Sequence, residues 1–186
     1  MMRRRTARAA VATVVVLTAG ACAPPRVTPS AEGATTVVVV RHAEQEAGAG
    51  NDPSLSELGR ERAAALGEAL AGGRVVGVYS TQYRRTRETA EAVARALGLE
   101  SSIRPIDASN ASTYADALVA EILATHAGGT VLAVGHSNTV PQLVKALGGG
   151  EVDVIPESEY DRFYVLVIDG PDAVRAFAGS YGRETH

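Results

Sequence analysis

Thr36-Val37-Val38-Val39-Val40-Arg41-His42 is the stretch whose reading decides the fold. Four consecutive valines leave no apolar–polar alternation, so the predicted strand Thr36–Arg41 is covered on both faces. A second run of this kind, Val131-Leu132-Ala133-Val134, leads into Gly135-His136. Doubly covered strands belong to the interior of parallel sheets, and ligands of such sheets bind outside the carboxyl ends of the strands. With the two runs as neighbours, His42, His136 and Arg41 converge on one pocket.

Outward from this pair, strand and helix signals alternate. Ser56 reads as the N-cap of a helix from Glu57 to Ala71, weakened locally by Gly59 and Gly67 and stopped by Gly72-Gly73. A strand Val75–Tyr79 precedes a helix from Tyr83 to Leu97, stopped by Gly98, and then a short strand Ser102–Ile106. A helix from Ser112 to His126 leads through Gly128-Gly129 to the strand Thr130–Val134. The next helix, Thr139–Leu147, has Ser137 and Asn138 as candidate caps and ends in three glycines. Phe163–Ile168 is the last clear strand, with Val174–Phe177 as an added edge strand. This alternation predicts an α/β fold, a three-layer α/β/α arrangement around a mainly parallel sheet.

The start of the chain has a different character. Arg3, Arg4, Arg5 and Arg8 form a basic n-region, and Ala9 to Ala21 is apolar but too short for a transmembrane helix. Ala19-Gly20-Ala21-Cys22 fits a bacterial lipoprotein box, with Cys22 acylated as the first mature residue. Ala21-Cys22-Ala23 also fits ordinary signal-peptide cleavage after Ala23. The lipoprotein reading is preferred, because the only cysteine of the chain falls where the lipid would go. Residues 1–22 are therefore read as an export signal, 23–35 as a Pro- and Gly-bearing tether, and 36–186 as one domain.

A lone cysteine gives no internal disulfide, so this domain stands on its core. Removing the four n-region arginines from 18 basic residues leaves 14 against 21 acidic ones, a net acidic balance of about seven. An acidic domain argues against a nucleic-acid partner.

Two arginines and two histidines stand out as a set. Arg41 and His42 end the first strand, Arg85 opens the helix after the second, and His136 follows the fourth. Arginine's rigid fork matches phosphate oxygens and stays charged throughout turnover, and helix N-termini add backbone N–H donors. A neutral imidazole in such a pocket can attack phosphorus, and neighbouring cations keep it neutral. A metal centre on His42 and His136, with Glu44 or Asp107 as carboxylate ligand, is the chemical rival. Two adjacent arginines would repel the metal. Asn51 and Asp52 are read as shaping the loop before Pro53, His126 and His186 as surface residues, and Tyr160 and Asp161 as candidates to line the pocket.

Three segments in order, Val-Val-Val-Val-Arg-His-Ala-Glu at 37–44, Ser-Thr-Gln-Tyr-Arg-Arg-Thr-Arg-Glu-Thr-Ala at 80–90 and Val-Gly-His-Ser-Asn-Thr at 134–139, resemble the histidine phosphatase superfamily, the phosphoglycerate mutase-like fold. Asp52-Pro53-Ser54-Leu55-Ser56-Glu57-Leu58-Gly59 also fits the start of that family's first helix. The resemblance spans Thr36 to Ile168. It implies that His42 is the nucleophile that becomes phosphorylated, that Arg41 and Arg85 bind the phosphate, and that His136 hydrogen-bonds the transferring group. Arg84 and Arg87 are assigned to solvent or the pocket rim.

Ala43 stands where the family has glycine, and Gln82 where proline is common. No general acid is evident; Asp107 is the best stand-in and Glu44 the next. Small phosphohistidine phosphatases of the family work without an obvious acid, since a phosphorylated nitrogen leaves more easily than an alkoxide.

The expected function is hydrolysis of a phosphomonoester, or a phosphoramidate, through a phosphohistidine, with no metal or organic cofactor. The expected partner is a small phosphorylated substrate: two Phe and no Trp leave little for a large aromatic subsite. The expected location is outside the cytoplasm, held to a membrane through the lipid on Cys22 or else free in the periplasm or medium. A phosphoglycerate mutase is the alternative enzyme, disfavoured by export, short length and the missing acid. A non-catalytic phosphate-binding lipoprotein is the alternative outside enzymes.

Overall fold

The computed structural model describes residues 33–48, 50–170 and 173–185; the predicted export signal, Cys22 and His186 lie outside them. The elements are β1 (Thr35–Arg41), α1 (Glu57–Leu70), β2 (Val75–Ser80), α2 (Arg84–Ala96), β3 (Ser101–Ile103), α3 (Tyr114–Thr125), β4 (Thr130–Gly135), α4 (Thr139–Ala146), β5 (Arg162–Ile168) and β6 (Val174–Ser180). One sheet runs in the order β3-β2-β4-β1-β5-β6. The β3–β2, β2–β4 and β4–β1 pairs are parallel, whereas β5 and β6 are antiparallel to their neighbours. The mainly parallel three-layer prediction describes this architecture, and the two valine-rich strands are neighbours.

Alternate residues of β1 feed two separate cores. Val37 and Val39 pack with Leu118 and Ile122 of α3 and Leu143 and Val144 of α4. Val38 and Val40 pack on the other face with Leu66 of α1 and Ala90 and Val93 of α2. Fully burying a side chain of this kind contributes about 1.5–3 kcal/mol over leaving it exposed.

A one-residue slip of β1 would exchange valine for valine on both faces, so its hydrophobic pattern does not fix its register. The strand's ends do: Thr36 N–H donates to the Gly129 carbonyl at 2.8 Å, and His42 N–H to the Gly135 carbonyl at 2.9 Å. The residues that carry the chemistry thus also lock the pairing.

Several boundaries differ from expectation for local reasons. β3 ends at Ile103, short of Ile106. Arg104 N–H still reaches the Ser80 carbonyl at 2.8 Å, but Pro105 has no N–H to continue the ladder. β6 continues past Phe177 to Ser180 because the whole strand pairs with β5. α3 starts at Tyr114 rather than Ser112, after turns at 107–113.

At the start of α4, Asn138 occupies the cap position without a side-chain cap bond. Thr139 Oγ1 instead accepts from the His136 N–H at 2.8 Å. His126 is half-buried rather than on the surface: its Nε2 lies 3.0 Å from the Tyr79 hydroxyl. Gly77 lies against this ring, and a Cβ there would come within 2.8 Å of Nε2.

Candidate active site

The carboxyl ends of β1, β2 and β4 open on one cavity of about 580 Å³, lined by Arg41, His42, Arg85 and His136 among others. The sheet order creates this arrangement, since β4 lies between β1 and β2. Arg41 and His42 leave β1, Arg85 lies in the first turn of α2, and His136 follows β4. All four residues of the set are brought together.

His42 is 3% exposed and its tautomer is fixed. Nδ1 lies 2.8 Å from the Ala43 carbonyl, which only accepts, so Nδ1 carries the proton and Nε2 keeps its lone pair. Arg85 Nε donates to that Nε2 at 3.2 Å. Burial above all, and then the neighbouring Arg41, His136 and Arg85, hold the His42 pKa down at about 3, against the opposing pull of the Ala43 carbonyl. The imidazole is therefore neutral at ordinary pH, as a nucleophile must be.

His136 is arranged in the complementary way. Its Nε2 lies 2.9 Å from Thr81 Oγ1, which in turn lies 2.7 Å from Thr86 Oγ1. Its Nδ1 faces Arg85 Nη2 at 3.5 Å. Burial, then Arg85 and Arg41, lower its pKa to about 4. The two imidazole rings meet edge-on with centroids 5.5 Å apart.

Arg41 is 5% exposed, and its Nη1 is held by the carbonyls of Pro156, Glu157 and Glu159 at 2.7–3.0 Å. Its Nε is buried and has no hydrogen-bond partner. An unpaired buried charged donor is costly. The donor set suits an oxyanion rather than a cation. Among the described residues, no group of three or more His, Cys, Asp and Glu is placed to hold a metal ion.

The two candidate proton donors do not occupy equivalent places. Glu44 is turned away from the cavity into a buried ion pair: Arg62 Nε lies 2.9 Å from both carboxylate oxygens. The physical reason is Arg62 itself, 2% exposed, whose other donors bind the carbonyls of Tyr181 and Arg183. Asp107 does line the cavity, but its Oδ1 accepts from Ser109 N–H at 2.7 Å and Ser109 Oγ at 2.5 Å. Those bonds hold its carboxyl below the usual range, which favours the ionised form over a proton donor.

Other expectations also need correction. Asp52 caps α2: its Oδ1 accepts from the Arg84 N–H at 2.8 Å and lies 3.9 Å from Arg85 Nη1. That first amide of α2 is therefore not free for a substrate anion, contrary to the helix-terminus expectation. Tyr160 lines the cavity, its ring 4.1 Å beneath the Arg41 guanidinium, whereas Asp161 bonds to Thr185 Oγ1 outside it. Arg84 and Arg87 pair with Glu88 and Glu91 on the outer side of α2.

Three contributors were not assigned to the site from the sequence. Tyr83 packs edge-on to His136 at 5.2 Å, and Thr81 holds the His136 ring. Gln82 grips the backbone of Ile106 from both sides: its Nε2 donates to the carbonyl at 2.7 Å, and its Oε1 accepts the N–H at 3.0 Å. The departure from the family's proline thus takes over the backbone pairing that β3 gives up at Pro105. The signal available was the pair itself, an amide side chain at the strand end facing a proline-broken strand.

With this geometry described, the chain can be set beside known proteins. Residues 37–106 match the sequence model of the histidine phosphatase superfamily, branch 1. No curated protein matches the chain. Solved structures do. The protein histidine phosphatase SixA, complexed with tungstate, is 22% identical with a TM-score of 0.58, over 78% of this chain and 96% of that one. The native mycobacterial glucosyl-3-phosphoglycerate phosphatase is 20% identical with a TM-score of 0.56, over 80% of this chain and 98% of that one. A Nakamurella multipartitia protein assigned as the phosphohistidine phosphatase SixA is 26% identical with a TM-score of 0.54, over 86% of this chain and all of that one.

Proposed function

We propose that the chain is a phosphatase of the histidine phosphatase superfamily, whose model its residues 37–106 match, and that it works through a phosphohistidine on His42. The observation that carries this reading is the fixed tautomer of His42, with Nδ1–H tied to the Ala43 carbonyl and the Nε2 lone pair facing Arg85. Nε2 attacks phosphorus; the nitrogen–phosphorus bond forms as the bond to the leaving group breaks, and the leaving group departs with the electron pair. Water then attacks phosphorus, the electron pair returns to Nε2, and inorganic phosphate is released.

Arg41 and Arg85 hold the phosphoryl oxygens, and His136 steadies the Arg85 guanidinium from the β4 side through its Nδ1 lone pair; charge stabilisation of this kind is the main source of rate in phosphoryl transfer. With Glu44 buried against Arg62 and Asp107 held ionised, the leaving group takes its proton from solvent. That favours substrates with a good leaving group, aryl esters and phosphoramidates, over simple alkyl esters.

Incubation with an aryl phosphate labelled in its phosphoryl group tests this reading. Acid-labile label on the wild-type chain, absent from His42→Ala along with turnover, is the expected result. Full turnover by the folded variant would overturn the reading.

We also propose that the mature chain starts at an acylated Cys22 and is exported. The basic n-region, the short apolar stretch and the position of the lone cysteine support this. Mass spectrometry of the mature N-terminus is the test; a free chain beginning at Pro24 would replace the lipoprotein with a secreted form.

A further inference from the structure

The cavity is unevenly supplied with charge along its lining. Among the described residues that line it, Arg41 and Arg85 are the only cationic side chains, since burial keeps His42 and His136 neutral. Arg85 is committed to the histidine end through His42, while Arg41 is held by the carbonyls of the loop that carries Glu157. The outer wall carries the opposite charge. Asp107, on the loop between β3 and α3, and Glu157, on the loop between α4 and β5, both line the cavity. Asp52 adds a third carboxylate 3.9 Å from Arg85 Nη1.

Two lining cations stand against two lining carboxylates, with Asp52 beside Arg85, and a bound phosphate adds more negative charge. A leaving group with a carboxylate or a second phosphate would then add its charge to that of Asp107 and Glu157, with no lining cation beyond the two arginines to offset it. Like charges at such separations repel in a partly solvated site. The uncharged part of the wall combines Tyr83, Tyr160 and Ile106 with the polar Gln45, Ser137 and Asn138, and its aromatic rings suit a cationic group.

Resting on the phosphatase reading, we propose that the site selects single-phosphate substrates whose leaving group carries no negative charge, taking ammonium-bearing ones over carboxylate-bearing ones of equal size. Asp107 and Glu157 are the specificity-determining residues. Gln82 positions the first of them by clamping Ile106.

Phosphoethanolamine and phosphoglycolate differ in little but the sign of the distal charge. Their inhibition constants against hydrolysis of para-nitrophenyl phosphate are measured at low ionic strength, which reads selectivity whether or not either ester is turned over. The expected preference for phosphoethanolamine is roughly tenfold, the scale of one partly screened charge pair. Asp107→Asn with Glu157→Gln brings the ratio toward one, and Asp107→Lys with Glu157→Lys reverses it. Equal inhibition by the two esters, failure of both to compete, or a ratio that ignores the substitutions overturns the selectivity while leaving the phosphatase reading intact. Absence of any para-nitrophenyl phosphate hydrolysis by the wild-type chain overturns that reading instead.

Discussion

Arg85 Nε donates to His42 Nε2 at 3.2 Å, so the lone pair of the proposed nucleophile is capped by the cation that would hold its substrate. An incoming phosphate gives Arg85 a better acceptor and frees Nε2 at the moment phosphorus is presented to it. Arg85→Ala removes the grip and is expected to lower kcat/KM for an aryl phosphate by about 10²–10³, the usual loss for a group aimed at developing negative charge. Arg85→Lys keeps the charge without the planar fork and restores only part of it. Steady-state kinetics of the two variants checks this; full activity in Arg85→Ala would remove the residue from the mechanism.

The depressed histidines make stability depend on pH. In the unfolded chain His42 and His136 take up protons near about pH 6.5; in the folded chain they do so only near about 3 and about 4. Between those values the unfolded state holds more protons, so stability rises with pH. The contribution is complete above the unfolded pKa and is lost as pH falls through it toward the folded values. Each histidine contributes a slope of up to about 1.4 kcal/mol per pH unit in that window. The urea midpoint is expected to fall between about pH 7 and pH 5, before most carboxylates titrate. The double substitution His42→Asn, His136→Asn flattens that slope, leaving the smaller share of His126, whose pKa burial also lowers. An unchanged slope in the double variant contradicts the assignment.

Glu44 and Arg62 form a structural pair, and their variants separate stability from chemistry. Arg62→Met leaves the Glu44 carboxylate buried without its partner and cuts the ties to the Tyr181 and Arg183 carbonyls. A loss of about 3–5 kcal/mol is expected, as for other broken buried pairs. Glu44→Gln lowers the urea midpoint while leaving kcat of the folded enzyme unchanged, because the side chain does not face the cavity. A large fall in kcat without loss of stability would return Glu44 to the role of proton donor.

The parts of this molecule legible in its sequence are those fixed by local patterns. Unbroken valine runs specify doubly covered strands, and the residues directly after such strands must lie at their carboxyl ends. Arg41, His42 and His136 therefore had a predictable meeting place, and the family's segments added Arg85. What the sequence hid depends on distant partners. The direction of Glu44 is decided by Arg62 on α1, which is itself held by carbonyls near the end of the chain. Asp52 lies in a loop before α1 yet caps α2, and Gln82 repairs a ladder broken by Pro105. None of these pairings leaves a periodic trace, because each joins one side chain to one backbone group across a fold that must already exist.

Thr81 is the remaining residue whose role can be isolated. Its Oγ1 sits between His136 Nε2 and Thr86 Oγ1, and Thr86 Oγ1 donates onward to the Tyr83 carbonyl at 2.8 Å. With that donor spent, the Thr81 hydroxyl proton goes to Thr86 and its lone pair accepts from His136, so Nε2 carries the imidazole proton and Nδ1 faces the cavity. Thr81→Val keeps the shape but removes the acceptor, freeing the ring to change tautomer. A fall in kcat of roughly tenfold is expected, well short of the ~10⁴ lost when a charged partner orienting a catalytic histidine is neutralised. The pH profile should shift with it, since the acceptor that favours one protonation pattern of His136 has gone. Thr81→Ser restores the hydroxyl and is expected to recover both kcat and the profile. A valine variant with wild-type kcat and an unshifted profile would show that the hydroxyl only fills space beneath the ring.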